Sequence, residues 1–452
     1  MQGILERIRP SEEEKRELEK TAEELLSRVK REAAKADPRL TVALLGSASR
    51  GTWLKNEKDL DVFVFFPLEY KREELEEAVT QIGTGVLEKP EKHYAEHPYV
   101  AGLYRDYEVE IVPCYAVESP RRLKSAVDRT PFHDAFVRKH IPGKEDEVRL
   151  LKQFLKGIRC YGAEAKVEGF SGYLCELLVL KYGSFKDVLE AAQGWGRGEV
   201  LSFDPVEDEE KLRAKFSSPL IFLDPVDKER NVASALSEKN FSLFRHAARE
   251  YLRNPREEFF FPRPRRVTKE ELARLLKERG TSPLALFFPK PEVIEDILYT
   301  QGRKALRILE KVLRRGDFRI ITSSFFVRHR ICMLFELESL SLPAAKLHLG
   351  PRGNAYHEAR FLEKYRGYKE KLTEPFLLGG RWAIYLRRRH TRADAYLREF
   401  LSLGRLEEQG IPSYMARSLE EGYELKADED ALEEEFLEDL QSFLDPRFPW
   451  EV

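Results

Sequence analysis

Two aspartates that open an apolar strand constrain the fold of this chain more than any other feature. Asp59 and Asp61 flank Leu60 and lead into Val62-Phe63-Val64-Phe65-Phe66, and an earlier apolar run, Val42-Ala43-Leu44-Leu45, ends in Gly46-Ser47. Residues two apart on a strand point to the same side, so both carboxylates address one point. Burying such a pair uncompensated costs several kcal/mol or forces protonation. A divalent cation removes the conflict, and Mg²⁺ characteristically sits on a few carboxylates together with substrate phosphates. The pattern predicts a metal-dependent phosphoryl or nucleotidyl transfer site.

A third acid comes from Glu108-Val109-Glu110-Ile111-Val112-Pro113. Alternation puts Glu108 and Glu110 on one face, so register alone leaves either as the third ligand. Glu110, at the edge of the apolar run, is the better placed. Gly46 lets backbone approach a ligand closely, Ser47 offers a hydroxyl, and Arg50 one turn later suits a clamp on phosphate oxygens. If a helix starts here, its free amides face a triphosphate. Gly-Ser alone is an ordinary turn. Followed twelve residues later by Asp-Leu-Asp, it addresses the same triphosphate–metal complex.

The 452 residues leave room for about three domains. There is no run of about 18 apolar residues, and the start, Met-Gln-Gly-Ile-Leu-Glu-Arg, lacks the apolar core of a signal peptide. A cytoplasmic protein without a membrane span is expected. Cys114, Cys160, Cys175 and Cys332 show no CxxC spacing, which argues for reduced, buried thiols rather than a zinc site. The net charge of −2 hides an asymmetry. Residues 301–400 carry 22 Lys/Arg against 10 Asp/Glu, and residues 401–452 carry 4 against 15. The first segment suits a phosphate backbone. The plainer reading is that the two segments neutralise each other.

Along the chain, Ser11 and Glu14 are spaced as a capping box for a helix that Asp37-Pro38 stops. Lys71–Leu87 reads as a helix, and His93–Tyr104 and Tyr107–Tyr115 read as two strands. Helices follow from Glu145, at Gly172–Tyr182 and at 184–193, so the middle region is mostly α. Asn254-Pro255 and Phe261-Pro262-Arg263-Pro264 mark a boundary near 256. Beyond it come a strand at Leu284–Phe288, a helix at Val293–Arg315, paired strands at Phe318–Phe326 and Arg330–Leu340, a helix at Tyr356–Tyr365 and a strand at Arg381–Leu386. Asp430–Leu444 keeps Leu432, Phe436, Leu437, Leu440 and Phe443 together as an acidic amphipathic helix.

Gly46-Ser47…Asp59-Leu60-Asp61…Glu110 resembles the signature of the polymerase-β nucleotidyltransferase superfamily. Longer runs narrow the resemblance: Gly46–Leu54, Tyr94–Val100, Ile111–Tyr115, Ser125–His133, Gly169–Leu178, Asp224–Asp227 with Arg230–Ala233, Lys290-Pro291 with Leu298-Tyr299, and Gly350-Pro351. From about residue 40 to 390 the chain is similar to archaeal (class I) CCA-adding enzymes, the tRNA nucleotidyltransferases. The resemblance implies an α+β protein with a polymerase-β-like nucleotidyltransferase head (1–137), a mostly helical neck with the base pocket (138–256), a mixed α/β body (257–300 and 391–452) and a small, basic α/β sandwich tail (301–390). It implies Asp59, Asp61 and Glu110 as the Mg²⁺-binding catalytic acids. Ser47, Arg50, Thr130, His133, Lys152 and Tyr161 are implied as ligands of the incoming triphosphate and sugar. Asp224 and Arg230 fall in the region that sorts C and A from G and U. The partners implied are the tRNA acceptor stem and elbow, CTP and ATP, in a homodimer. One departure is visible: the family's trio often begins with Glu and ends with Asp, whereas here Asp59 is first and Glu110 last. His97 reads as a structural histidine rather than a base. A poly(A)-type terminal transferase and a catalytically degenerate tRNA-binding protein are the alternatives.

Overall fold

The computed structural model describes residues 1–94, 98–263, 267–354 and 356–451; His97 lies outside them. The chain forms two compact units, Met1–Pro264 with Phe448–Val452, and Arg265–Arg447.

The first unit begins with α1 (Gln2–Ile8) and α2 (Glu12–Ala36). Ser11 caps α2 as expected: Glu14 N donates to its hydroxyl at 3.1 Å, and its own N donates to the Glu14 carboxylate at 2.7 Å. Next come β1 (Thr41–Leu45), α3 (Gly46–Arg50), β2 (Asp59–Phe66), α4 (Arg72–Val86), β3 (Glu88–Tyr94), β4 (Pro98–Tyr104) and β5 (Tyr107–Tyr115). They build a mixed sheet of order β1-β2-β5-β4-β3 in which β2 and β5 run parallel and the other neighbours antiparallel. Alternation then divides the residues. Leu60, Val62, Val64 and Phe66 pack with Leu25 and Val29 of α2 and with Leu75 and Val79 of α4, so Asp59 and Asp61 are left on the opposite face. The single strand expected at 93–104 is two. The segment Glu-Lys-Pro-Glu-Lys-His-Tyr of β3 is a polar edge strand with no apolar alternation to betray it.

The same unit continues with α5 (Thr130–His140), α6 (Glu145–Gly157), α7 (Gly172–Tyr182), α8 (Phe185–Ala192), β6 (Glu199–Leu201), α9 (Glu209–Phe216), β7 (Leu220–Phe222) and α10 (Glu238–Arg253). One apolar core joins them, α9 excepted, with Phe154, Phe170, Phe185, Phe244, Phe259 and Phe260 all buried. Helix α7 is apolar on nearly every side, as a fully enclosed helix must be, and Ser171 caps it by accepting from Leu174 N at 3.1 Å.

The second unit holds α11 (Lys269–Arg279), β8 (Ser282–Pro289), α12 (Glu295–Arg315), β9 (Ile320–Val327), β10 (Arg330–Leu337), β11 (Ala345–Arg352), α13 (Glu358–Arg366), β12 (Phe376–Leu378), β13 (Arg381–Arg387), α14 (Ala393–Ser402), α15 (Ser413–Glu421), β14 (Glu424–Ala427) and α16 (Leu437–Leu444). An antiparallel sheet of order β14-β8-β10-β9 takes β8 and β10 from opposite sides of the body–tail division expected at 300/301. The division read from sequence therefore cuts through one sheet and its core. The sheets part elsewhere: β11-β13-β12 with α13 lies within 345–387, where Phe361 and Tyr365 cover Ile384. The acidic C-terminal helix is also shorter than expected. Residues 428–431 and 434–436 form single 3₁₀ turns, and α16 starts only at Leu437. Asp428 takes a left-handed φ of 52°, while Glu433 and Glu435 turn to Arg330 rather than support a helix.

Among the described residues, no helix is long and apolar enough to cross a membrane. All four cysteines are free and buried.

Candidate active site

The acids stand where alternation put them, and the sheet register supplies the third. In the parallel β2–β5 pair Asp61 lies beside Glu110 and Asp59 beside Glu108. Glu108 shares the face, so the ambiguity between the two glutamates ends in a division: Glu110 neighbours Asp61, Glu108 neighbours Asp59. Burial, then the Arg50 charge opposing it and the Asp59 charge adding to it, leave Asp61 pushed up to about 6. Burial together with Asp61 and Asp59 pushes Glu110 up to about 7, and burial with Glu57 and Glu108 also raises Asp59. Carboxylates that resist ionising beside one another are a donor set that a hard cation satisfies. In this conformation no three or more His, Cys, Asp or Glu side chains among the described residues converge into a ready-made metal cage. The fit to Mg²⁺ therefore rests on oxygen donors, shared face and suppressed ionisation.

Gly46 packs its backbone onto Asp61. It takes φ +79°, a conformation natural to glycine, and a Cβ there would fall inside the van der Waals shell of the Asp61 carboxylate. The helix expected after Gly-Ser is α3, a single turn closed by Gly51. Ser47 offers a half-exposed hydroxyl with no protein partner among the described residues. Arg50 is anchored from one side: its Nε lies 3.1 Å from Glu176 Oε1, and Nη1 lies 3.9 Å from Asp134 Oδ1.

Lys152 is only 1% exposed, and its ammonium donates to Thr52 O at 3.0 Å. Burial lowers its pKa, and the Glu176 charge works against that fall. The Tyr161 hydroxyl and Lys152 Nζ flank Gly172 at the start of α7; a Cβ on Gly172 would sit 3.2 Å from the first and 3.8 Å from the second. The two residues that sequence placed on the phosphates are thus brought together.

His133 and Thr130 lie on α5, and His133 joins a second cluster. Its Nε2 is 2.7 Å from Asp224 Oδ2, and its ring stacks on Tyr173 with centroids 4.2 Å apart. Arg230 Nη1 donates to the same Asp224 oxygen at 2.9 Å, while Tyr173 OH and Val226 N donate to Oδ1 at 3.3 and 3.0 Å. Burial raises the Asp224 carboxyl, but these hydrogen bonds outweigh it and hold it below the usual range. Asp224 is 0% exposed and its oxygens are taken. Of the two residues placed in the base-sorting region, Asp224 is thus bonded to His133 and to the other, Arg230.

Sequence reading passed over Thr52, Asp134, Tyr173 and Glu176. Glu176 did carry a signal, as a lone acid inside Gly-Tyr-Leu-Cys-Glu-Leu-Leu-Val-Leu, where an ion is costly unless partnered. In the other unit, Arg328 and Arg330 pair with acids from 424–439, realising in part the plainer reading of the charge asymmetry. Arg388 and Arg389 instead pair with Asp317 and Glu399.

Known proteins resemble the chain along most of its length. Residues 22–133 match the nucleotidyltransferase domain, 146–261 the second domain of tRNA nucleotidyltransferases, and 279–428 the C-terminal domain of CCA-adding enzymes. The CCA-adding enzyme of Methanosarcina barkeri is 39% identical over 433 residues, covering 94% of this chain and 92% of its own. That of Archaeoglobus fulgidus is 38% identical over 404 residues, 89% of each. That of Haloarcula marismortui is 37% identical over 463 residues, covering 98% of this chain and 97% of its own. The α+β class with a nucleotidyltransferase head stands, and the chain belongs to the family of CCA-adding enzymes and is a nucleotidyltransferase.

Proposed function

We propose that this enzyme builds or repairs the 3′-terminal CCA of tRNA from CTP and ATP without a nucleic-acid template. The observation that carries the reading is the shared face of Asp59, Asp61 and Glu110, each with its carboxyl pushed above the ordinary range. The 3′-hydroxyl of the RNA forms a bond to the α-phosphorus in line with the departing pyrophosphate, and a proton is released. Asp59, Asp61 and Glu110 would hold Mg²⁺, which in a two-metal mechanism would supply acidification of the attacking hydroxyl and neutralisation of the triphosphate. Ser47 and the terminal nitrogens of Arg50 bind phosphate oxygens, and Lys152 with Tyr161 extends the positive field at the start of α7. Thr130 and His133 meet the sugar. Arg230, fixed by Asp224, presents a guanidinium to the base edge.

The second unit meets the RNA through exposed Lys and Arg, in keeping with duplex RNA being read by shape and phosphates. A homodimer, distinguished from a monomer by sedimentation equilibrium, and a cytoplasmic location complete the reading. The decisive experiment supplies tRNA ending at the discriminator base, Mg²⁺, and labelled CTP, ATP, UTP or GTP singly and in pairs. Incorporation of C, C and then A supports the proposal. A long A tail replaces it with a poly(A)-type transferase, and tight tRNA binding without incorporation replaces it with a degenerate binding protein.

A further inference from the structure

Among the described residues, two glutamates are 0% exposed inside apolar elements, and they are partnered differently. Glu336, in β10, has both oxygens satisfied: Arg279 Nη2 lies 2.8 Å from Oε1 and donates to Oε2 at 2.9 Å, and Thr281 Oγ1 donates to Oε1 at 2.7 Å. That is a closed structural pair. Glu176, in α7, accepts from Thr52 Oγ1 at 2.6 Å and lies 3.1 Å from Arg50 Nε, all through Oε1. Its Oε2 is buried with no hydrogen-bond partner, and Arg50 Nε is likewise buried without one. A buried carboxylate left half satisfied is costly, and such a site persists where it serves something other than stability.

The arrangement around Glu176 points to what it serves. Thr52 is completely buried and joins the two cations: its hydroxyl donates to Glu176, and its carbonyl accepts from Lys152 Nζ at 3.0 Å. Asp134, a second acid paired with Arg50, is occupied by Ser49 Oγ at 2.6 Å. The charges of Arg50 and Lys152 both reach Asp61 as well, but Glu176 is the acid that contacts Arg50 at 3.1 Å and is linked to Lys152 through Thr52. Arg50 is paired with Glu176 by charge at Nε, and its terminal nitrogens make no hydrogen bond among the described residues.

We infer that Glu176 is a positioning residue for the incoming triphosphate, holding Arg50 directly and Lys152 through Thr52 so that both cations are fixed before the nucleotide arrives. The inference rests on the reading of Arg50 and Lys152 as phosphate-binding groups. It extends that reading to a residue that touches no substrate. Fixing the cations beforehand removes an ordering cost from nucleotide binding, and that cost falls on the phosphates, which every nucleoside triphosphate shares.

Steady-state kinetics of Glu176→Gln test it. KM for CTP and for ATP should rise by the same factor, roughly tenfold, with kcat within about threefold and KM for tRNA unchanged. Inhibition by inorganic tripolyphosphate, which has phosphates and no base, should weaken by that factor too. Glu176→Asp, which keeps the charge, should recover part of the loss. Glu336→Gln, a matched control, should lower the melting temperature and leave the nucleotide KM values alone. If circular dichroism shows Glu176→Gln unfolded, Thr52→Val takes its place, with a smaller rise in the same three quantities. Unchanged KM and tripolyphosphate inhibition in a folded variant overturn the inference, as does a rise for one nucleotide only. Failure of the wild type to add C, C and A sinks the proposed function instead, and tripolyphosphate binding measured by calorimetry still decides the role of Glu176.

Discussion

In the unit that carries Asp61, charges are withdrawn from water: Glu176 and Asp224 are fully buried, Lys152 nearly so, and Asp61 and Glu110 are held back from ionising. In the unit that carries α12, Lys304, Arg307, Lys311 and Arg314 stand exposed three and four residues apart, a row along one helix face. The difference matches the two proposed tasks. Stabilising charge that develops on a reacting phosphate requires desolvated groups that need no reorganisation. Holding a long polyanion requires many solvated cations, each weak, acting by release of counterions. A buried charge is expensive and selective, whereas an exposed one is cheap and additive.

The sharpest way to break this contrast is Asp61→Ala. Incorporation should be abolished while tRNA affinity, measured by filter binding, stays nearly unchanged; activity surviving within roughly tenfold, about 1.4 kcal/mol of barrier, would remove Asp61 from the chemistry. Gly46→Ala comes next. Its methyl collides with the Asp61 carboxylate and meets an unfavourable φ, so a loss of roughly a hundredfold in kcat is expected, with little change in tRNA binding.

Replacing Lys304, Arg307, Lys311 and Arg314 together by Ala should act in the opposite sense, lowering tRNA affinity with kcat at saturating tRNA preserved. The slope of log K against log salt should become shallower by up to about three units. Arg389→Ala should do far less, because Glu399 already engages that arginine. A quadruple variant with an unchanged salt slope would mean that α12 is not the RNA-facing surface.

The smallest expected effect is on stability. Asp61 and Glu110 titrate above their ordinary values, so across about pH 4 to 7 the native protein retains protons that the unfolded chain has released. Without metal, this contribution must weaken stability as pH rises through that window, and Asp61→Asn should flatten the trend. Thermal melts with a chelator check the slope. Added Mg²⁺ should stabilise more at about pH 8 than at about pH 5, where protons compete for the same oxygens.

Much of the candidate site was legible because its parts are local. Two aspartates on alternate positions, a glycine before a one-turn helix and an acid on a later strand follow from period-two geometry, and the ordered runs identified the family. What escaped depends on contacts distant in sequence. Thr52 and Glu176 are 124 residues apart, and His133 and Asp224 are 91 apart. Polar β3 carries no periodic signal, and the sheet that takes strands from both sides of the 300/301 division was hidden because the β8–β10 pairing skips over α12 and β9.

By itself the sequence determined which residues have the chemistry for this work: the carboxylates, the cations and the faces on which alternation or helical spacing must set them. Only the tertiary structure decided which of those charges meet. It placed Glu110 beside Asp61, enclosed Asp224 between His133 and Arg230, left the α12 row exposed and set Glu176 against Arg50 and Thr52. The reason is physical. Side-chain direction is set within a few residues by backbone geometry, but the free energy of a charge is set by burial and by partners that the fold brings from elsewhere in the chain.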